Sequence, residues 1–180
     1  SAFYIAEIQH QYATSINNRL WMSAALITQG VSYHLRGELE KALVSYQKSL
    51  AIKEKISDKK GIAVCFSNIG NIYDNQGDFK KALEYYQKSL SINIETEDKY
   101  GIAGSYNNIG IIYYDLGNLL KAIEYHQKSI TISEEIGNVK GITSSCINIG
   151  AIYDDQGNLK EALEYYNKGL KYQKEIKDTN

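Results

Sequence analysis

Proline is absent from all 180 residues, so no ring removes a backbone donor from a helix interior and long helices can run unbroken. Cysteine is scarce. Cys65 and Cys146 fall in different places of the pattern set out below, and a disulfide between them would clip parts of the chain that are not neighbours. Both read as small buried thiols of a reducing compartment. An excess charge of either sign is missing too: Lys+Arg 20 against Asp+Glu 21 leaves −1, which gives no global field for nucleic acid or an anionic membrane. No apolar run approaches the roughly 18 residues that span a bilayer, and no basic segment followed by an apolar stretch opens the chain. His10, His34 and His126 are scattered, with no cysteine or carboxylate at metal-ligand spacing. The expectation is a cytoplasmic chain with no metal, no cofactor, no nucleic acid and no membrane partner; a targeting signal outside these residues stays open.

What is present is repetition. Gly30, Gly70, Gly110 and Gly150 fall 40 residues apart, and their surroundings recur with them. A period of this length is the mark of a solenoid, in which each unit covers its neighbour's apolar face. In residues 61–100, Ile62, Phe66, Ile69 and Tyr73 recur at steps of three and four and mark one face of a helix, here helix A. Gly77 suits the position just past its end. Asp78 offers an acceptor to the free amides of a second helix, helix B, whose stripe is Phe79, Ala82, Leu83, Tyr86, Leu90 and Ile94.

The same turn recurs as Gly37-Glu38, Gly117-Asn118 and Gly157-Asn158, each followed by a small residue at one offset: Ala42, Ala82, Ala122, Ala162. Between units, Asp58, Asp98 and Asn138 read as N-caps of the next helix A. Loops this short force antiparallel neighbours. Helix B is expected to run about 18 residues, roughly 27 Å, and to be the longer of the pair. Residues 1–18 align with 41–58, Ala2 on Ala42 and Ile16 on Ile56. The reading is therefore a single domain over 1–180: helix B of a partial unit at 1–18, then full units at 19–58, 59–98, 99–138 and 139–178.

The set Phe66, Ile69, Gly70, Tyr73, Gly77, Ala82, Tyr86 resembles the tetratricopeptide repeat, and the resemblance covers the whole chain. Its 40-residue form is similar to repeats of kinesin light chains, Pins-class spindle-orientation adaptors and bacterial signalling proteins. It implies an all-α fold, a right-handed superhelical solenoid of antiparallel helix pairs, with about four and a half repeats. The first full unit departs most: Leu26 in the aromatic slot, Gln29 where later units have isoleucine, Arg36 and Glu38 at the turn. Tyr33, Tyr73, Tyr113 and Tyr153 of helix A, and Tyr46, Tyr86, His126 and Tyr166 of helix B, are the expected core. Helical spacing assigns these tyrosines to packing rather than to a base-stacking surface, and His126 to a packed, hydrogen-bonded role.

The resemblance also implies that helix A lines the inner, binding wall. Opposite its core stripe lie Thr28, Asn68, Asn108 and Asn148, with Asn71 and Asn107 adding amides nearby. Such a row can hydrogen-bond an extended peptide's backbone; alternatively, the amides bond backbone groups and fix the stacking. Across 61–76, 101–116 and 141–156 there is no lysine or arginine, while Asp74, Asp115, Asp154 and Asp155 sit toward the ends of the helices A. His34, Asn75 and Tyr114 complete the candidate groove. Lysines gather instead on helix B and the turns between units, among them Lys59, Lys60, Lys80, Lys81, Lys88, Lys121 and Lys128. The groove is then mildly acidic and suits a basic or neutral peptide better than the carboxylate termini that some family members grip; a merely solvated rim is the bland alternative.

No nucleophile, base and orienter converge, and the Gly-Asn and Gly-Asp pairs are turns rather than phosphate cradles, so no enzyme activity is expected. On the last helix, Leu163, Tyr166, Leu170 and Ile176 have no following helix to cover them, so the expectation is either a fragment of a longer protein that continues beyond Asn180 or an end that packs against another chain. The functional expectation is a protein-interaction scaffold. Its alternatives are a regulatory segment of a larger bacterial signalling protein and an end-to-end self-assembling solenoid.

Overall fold

The computed structural model describes the backbone of residues 2–178 and the side chains of 5, 7–9 and 11–174. The expectations resting on the side chains of Ala2, His10 and Ile176 lie outside the described residues. Within them the chain forms α1 (Ala2–Ser15), α2 (Arg19–Leu35), α3 (Leu39–Lys55), α4 (Lys59–Asn75), α5 (Phe79–Glu95), α6 (Lys99–Asp115), α7 (Leu119–Glu135), α8 (Val139–Asp155) and α9 (Leu159–Asp178). Helices α2, α4, α6 and α8 are the helices A; α1, α3, α5, α7 and α9 are the helices B. The chain divides into two compact units, one up to Ile92 and one from Asn93.

Turn chemistry places the helix ends. Asn18, Asp58, Asp98 and Asn138 each accept from the amide three residues on, that of Trp21, Gly61, Gly101 and Gly141. At the turn inside each repeat, Gly37, Gly77, Gly117 and Gly157 take φ of 73–75°, the left-handed conformation that closes a helix. The turn between repeats uses the same conformation at Asn17, Ser57, Glu97 and Gly137; only the last of these is glycine. Glu38 makes no cap bond and instead holds Lys41 at 2.6 Å and Arg36 at 3.0 Å.

The expected inequality of the helices is corrected. Helices α2 to α8 are all 17 residues long, because both kinds of turn spend three residues between helices and divide each 40-residue unit evenly.

The core differs from the expected stripes on both helices: on helix B, Ile94 is exposed, and on helix A the buried position is shifted by one residue. Ile72, Ile112 and Ile152 are fully buried, each worth about 1.5–3 kcal/mol of apolar burial. Tyr33, Tyr73, Tyr113 and Tyr153, one residue further along, are half-buried. One helical step is 100°, so the isoleucine faces the centre and the tyrosine faces the seam between helices A and B. There Tyr73, Tyr113 and Tyr153 stack on Tyr85, Tyr125 and Tyr165 at 5.4, 5.3 and 5.8 Å between ring centroids. Lys81 and Lys121 lie over Tyr73 and Tyr113 at 4.9 and 5.0 Å.

On helix B, Tyr46, Tyr86 and His126 are buried as expected, and Tyr166 is half-buried. Each meets the periodic glycine of its own repeat. A Cβ on Gly30, Gly70 or Gly150 would stand 2.7, 2.8 or 2.6 Å from the Cδ1 of Tyr46, Tyr86 or Tyr166, and one on Gly110 would stand 2.8 Å from His126. The period is thus the footprint of one ring pressed on one backbone.

Cys65 and Cys146 are free and buried, and burial raises both thiols. Serines tie helix B to helix A: Ser49 Oγ donates to the Ser23 carbonyl at 2.8 Å and Ser89 Oγ to that of Ala63 at 2.9 Å. Lys53 is 6% exposed. It pairs with Asp58 at 2.7 Å, and this lysine, with the Gly61 amide, holds the Asp58 carboxyl below its ordinary range.

Candidate functional site: the helix A faces

Within each unit, successive helices A are linked by side chains 41 residues apart. In the first unit His34 of α2 meets Asn75 of α4. In the second, Tyr114 of α6 donates to Asp155 of α8, and Asn148 Nδ2 donates to Asn107 Oδ1 at 3.1 Å. The one-residue excess over the period is the stagger at which neighbouring helices A meet. Sequence spacing alone points to 40, so these pairs are invisible before the helices are packed.

Asn107 is the most engaged of the candidate residues. Its Oδ1 also accepts from Ser145 Oγ at 3.1 Å and lies 3.2 Å from Nδ1 of His126, joining α6, α7 and α8. Burial pushes the His126 imidazole down to about 4, so at neutral pH the ring is uncharged and its Nδ1–H is the donor to Asn107. Asn71 accepts from the Tyr86 hydroxyl at 2.7 Å. Tyr46 lacks such a partner among the described residues: Val31 stands where Asn71 stands one repeat later, and burial raises the Tyr46 phenol to about 12. Asn71, Asn107 and Asn148 therefore all hold the packing together.

Of the other candidates, Thr28 donates within its own helix to Ala24 at 3.2 Å and borders a cleft of about 350 Å³ with Gln9, Tyr12, Trp21, Ala24 and Ala25. Asn68, Asp74 and Asn108 are half-buried, and Asp115 and Asp154 are exposed. Partial burial raises the Asp115 carboxyl, and the bond to Asp155 raises the Tyr114 phenol. In the second unit a cleft of about 200 Å³ is bordered by Tyr100, Gly104, Asn107, Ser144 and, from the first turn of α8, Lys140.

Two features escaped the sequence reading. Exposed apolar groups share these helices: Leu20, Val31 and Leu35 on α2, Val64 on α4 and Tyr100 on α6. The lysines of helix B lean onto the A/B seam: Lys88 lies over Phe66 and Tyr85, and Lys128 over Tyr106 and Tyr125. Their recurrence beside aromatic positions was the available signal. At the far end, Leu163 and Leu170 of α9 are exposed. Among the described residues no group of three His, Cys, Asp or Glu side chains is placed to hold a metal ion, and no helix is long and apolar enough to cross a membrane.

The family model described as tetratricopeptide repeat matches residues 21–95 and 101–175. The chain belongs to the tetratricopeptide repeat family. Among solved structures it is similar to BtubC (BKLC) from P. vanneervenii, with a TM-score of 0.76 at 19% identity over 89% of this chain and 66% of that one. It is similar to aspartyl phosphate phosphatase F from Bacillus subtilis, with a TM-score of 0.81 at 16% identity over 98% of this chain and 51% of that one. A Rap protein complexed with Competence and Sporulation Factor gives 0.78 at 20% identity, over 99% of this chain and 56% of that one. This tetratricopeptide chain thus spans about half to two thirds of the length of these relatives, and at such identities the likeness is one of fold. A search of curated proteins finds no match.

Proposed function

We propose that this tetratricopeptide chain is a protein-interaction scaffold whose helix A faces hold a segment of a basic or neutral protein partner. The observation that supports this best is chemical. Within each unit two helices A lie side by side, carrying amides, carboxylates and exposed apolar side chains, and no basic residue occurs across 61–76, 101–116 or 141–156. Amides can meet a peptide backbone, apolar groups its side chains, and carboxylates its cations. Asn68 and Asn108 are the amides we assign to the partner; Asn71, Asn107 and Asn148 order the wall. A partner's acidic terminus would meet like charge there.

A second reading, that the chain regulates a larger signalling protein, draws on the partial coverage of the Rap protein solved with its factor. The test is binding of a candidate partner segment to wild type and to the Asn68→Ala/Asn108→Ala variant, with thermal melting alongside. The proposal expects weaker binding by a variant that the melting curve shows to be folded at the temperature of the binding measurement. Unchanged binding removes these amides from the site.

A further inference from the structure

In three repeats a tyrosine of helix B fills the A/B seam. Tyr85 stacks on Tyr73 and leans on Phe66 at 5.9 Å; Tyr125 stacks on Tyr113 and leans on Tyr106 at 6.0 Å; Tyr165 stacks on Tyr153. In the first full repeat that tyrosine is Ser45, and the aromatic beside it is Leu26. A groove of about 370 Å³, open to solvent, runs along the seam there; Leu26 and Ser45 lie buried at its floor, and Gln29, Tyr33, Glu40, Lys41, Val44 and Lys48 also border it. This volume lies within the range of small-molecule sites.

Three substitutions change the lining together. Gln29 replaces the buried Ile69, Ile109 and Ile149 and brings an amide to the groove. Val44 replaces Glu84 and Glu124, which bind Lys88 and Lys128 at 2.6 Å, so Lys48 has no carboxylate one turn back. Lys41, by contrast, is held by Glu38 at 2.6 Å. Tyr33 retains the ring on which its counterparts stack, and Arg36, 5.0 Å from that ring's centroid, does not border the groove.

We infer that this groove is a binding site for a small aromatic carboxylate, whose ring lies over the buried Leu26 and Ser45, against Tyr33 and Val44, and whose anion meets Lys48 and the Gln29 amide. The ring supplies what the other repeats build in, and the anion supplies what Lys48 lacks. The site is separate from the helix A faces and does not depend on the role proposed for them.

The probe is 4-hydroxyphenylacetate, followed by NMR on the Leu26 and Val44 methyl groups. Binding at about millimolar or tighter is expected for a ligand of this size. Ser45→Tyr restores the residue of the other repeats, so it should fold and should abolish binding. Lys48→Gln should weaken the acid about fivefold, the weight of one exposed ion pair, and leave neutral p-cresol unchanged. No shift at Leu26 and Val44, or binding that survives Ser45→Tyr, overturns the inference. So does N-acetyltyrosine amide binding as tightly as the acid, which would assign the groove to a partner's side chain.

Discussion

The ring of Tyr86 occupies the space that a side chain on Gly70 would need: a Cβ there would stand 2.6 Å from Tyr86 Cε1. That contact accounts for the glycine period better than helix propensity does, since glycine in mid-helix costs about 1 kcal/mol relative to alanine.

Gly70→Ala should therefore destabilise by about 1–3 kcal/mol through overpacking. Gly104, on α6, has nothing within 4 Å of its would-be Cβ. Gly104→Ala should stabilise by about 0.5–1 kcal/mol. Urea midpoints of the two variants should move in opposite directions.

Ser57 and Glu97 sit at φ 55° and 53° in turns where the next repeat has Gly137. Left-handed backbone costs a non-glycine residue about 1 kcal/mol. Ser57→Gly and Glu97→Gly should each raise the melting temperature, and Gly137→Ala should lower it.

The Tyr86 hydroxyl depends on Asn71. Asn71→Val should cost about 1–2 kcal/mol by leaving that hydroxyl unbonded. Val31→Asn should offer the Tyr46 hydroxyl the same partner and stabilise by up to about 1 kcal/mol. Chemical denaturation of the pair tests both signs.

His126 makes stability depend on pH. Burial lowers its folded value from 6.5 to about 4, so between those values the unfolded chain takes up a proton that the folded chain refuses. Its contribution is complete above about pH 6.5 and is lost as pH falls toward 4, amounting to about 3 kcal/mol at most. His126→Tyr, the residue of the other repeats, should flatten this part of the urea-midpoint profile against pH.

Much of the fold was legible because each turn carries its own chemistry. Asp58, Asp98 and Asn138 announce N-caps, and the Gly37, Gly77, Gly117 and Gly157 turns announce helix ends. Ser57 and Glu97 gave no sign of their conformation, since neither favours it. Tyr73 and Ile72 could not be ranked by stripe alone, because adjacent residues straddle the core and the seam. The helix A faces were legible in composition but not in connection: pairs such as Asn107 and Asn148 depend on the stagger between packed helices. The open groove could be read only as a column, with Ser45 set against Tyr85, Tyr125 and Tyr165.

The central claim is that the helix A faces attract a basic partner. Fluorescence anisotropy of a labelled lysine-rich peptide, at low and high salt, tests it most directly with wild type and with the variant carrying Asp74→Asn, Asp115→Asn, Asp154→Asn and Asp155→Asn. The account predicts wild-type binding that weakens with salt, and a variant about three- to tenfold weaker at low salt with a flatter salt dependence. Equal affinity and equal salt slope for the two proteins would contradict it.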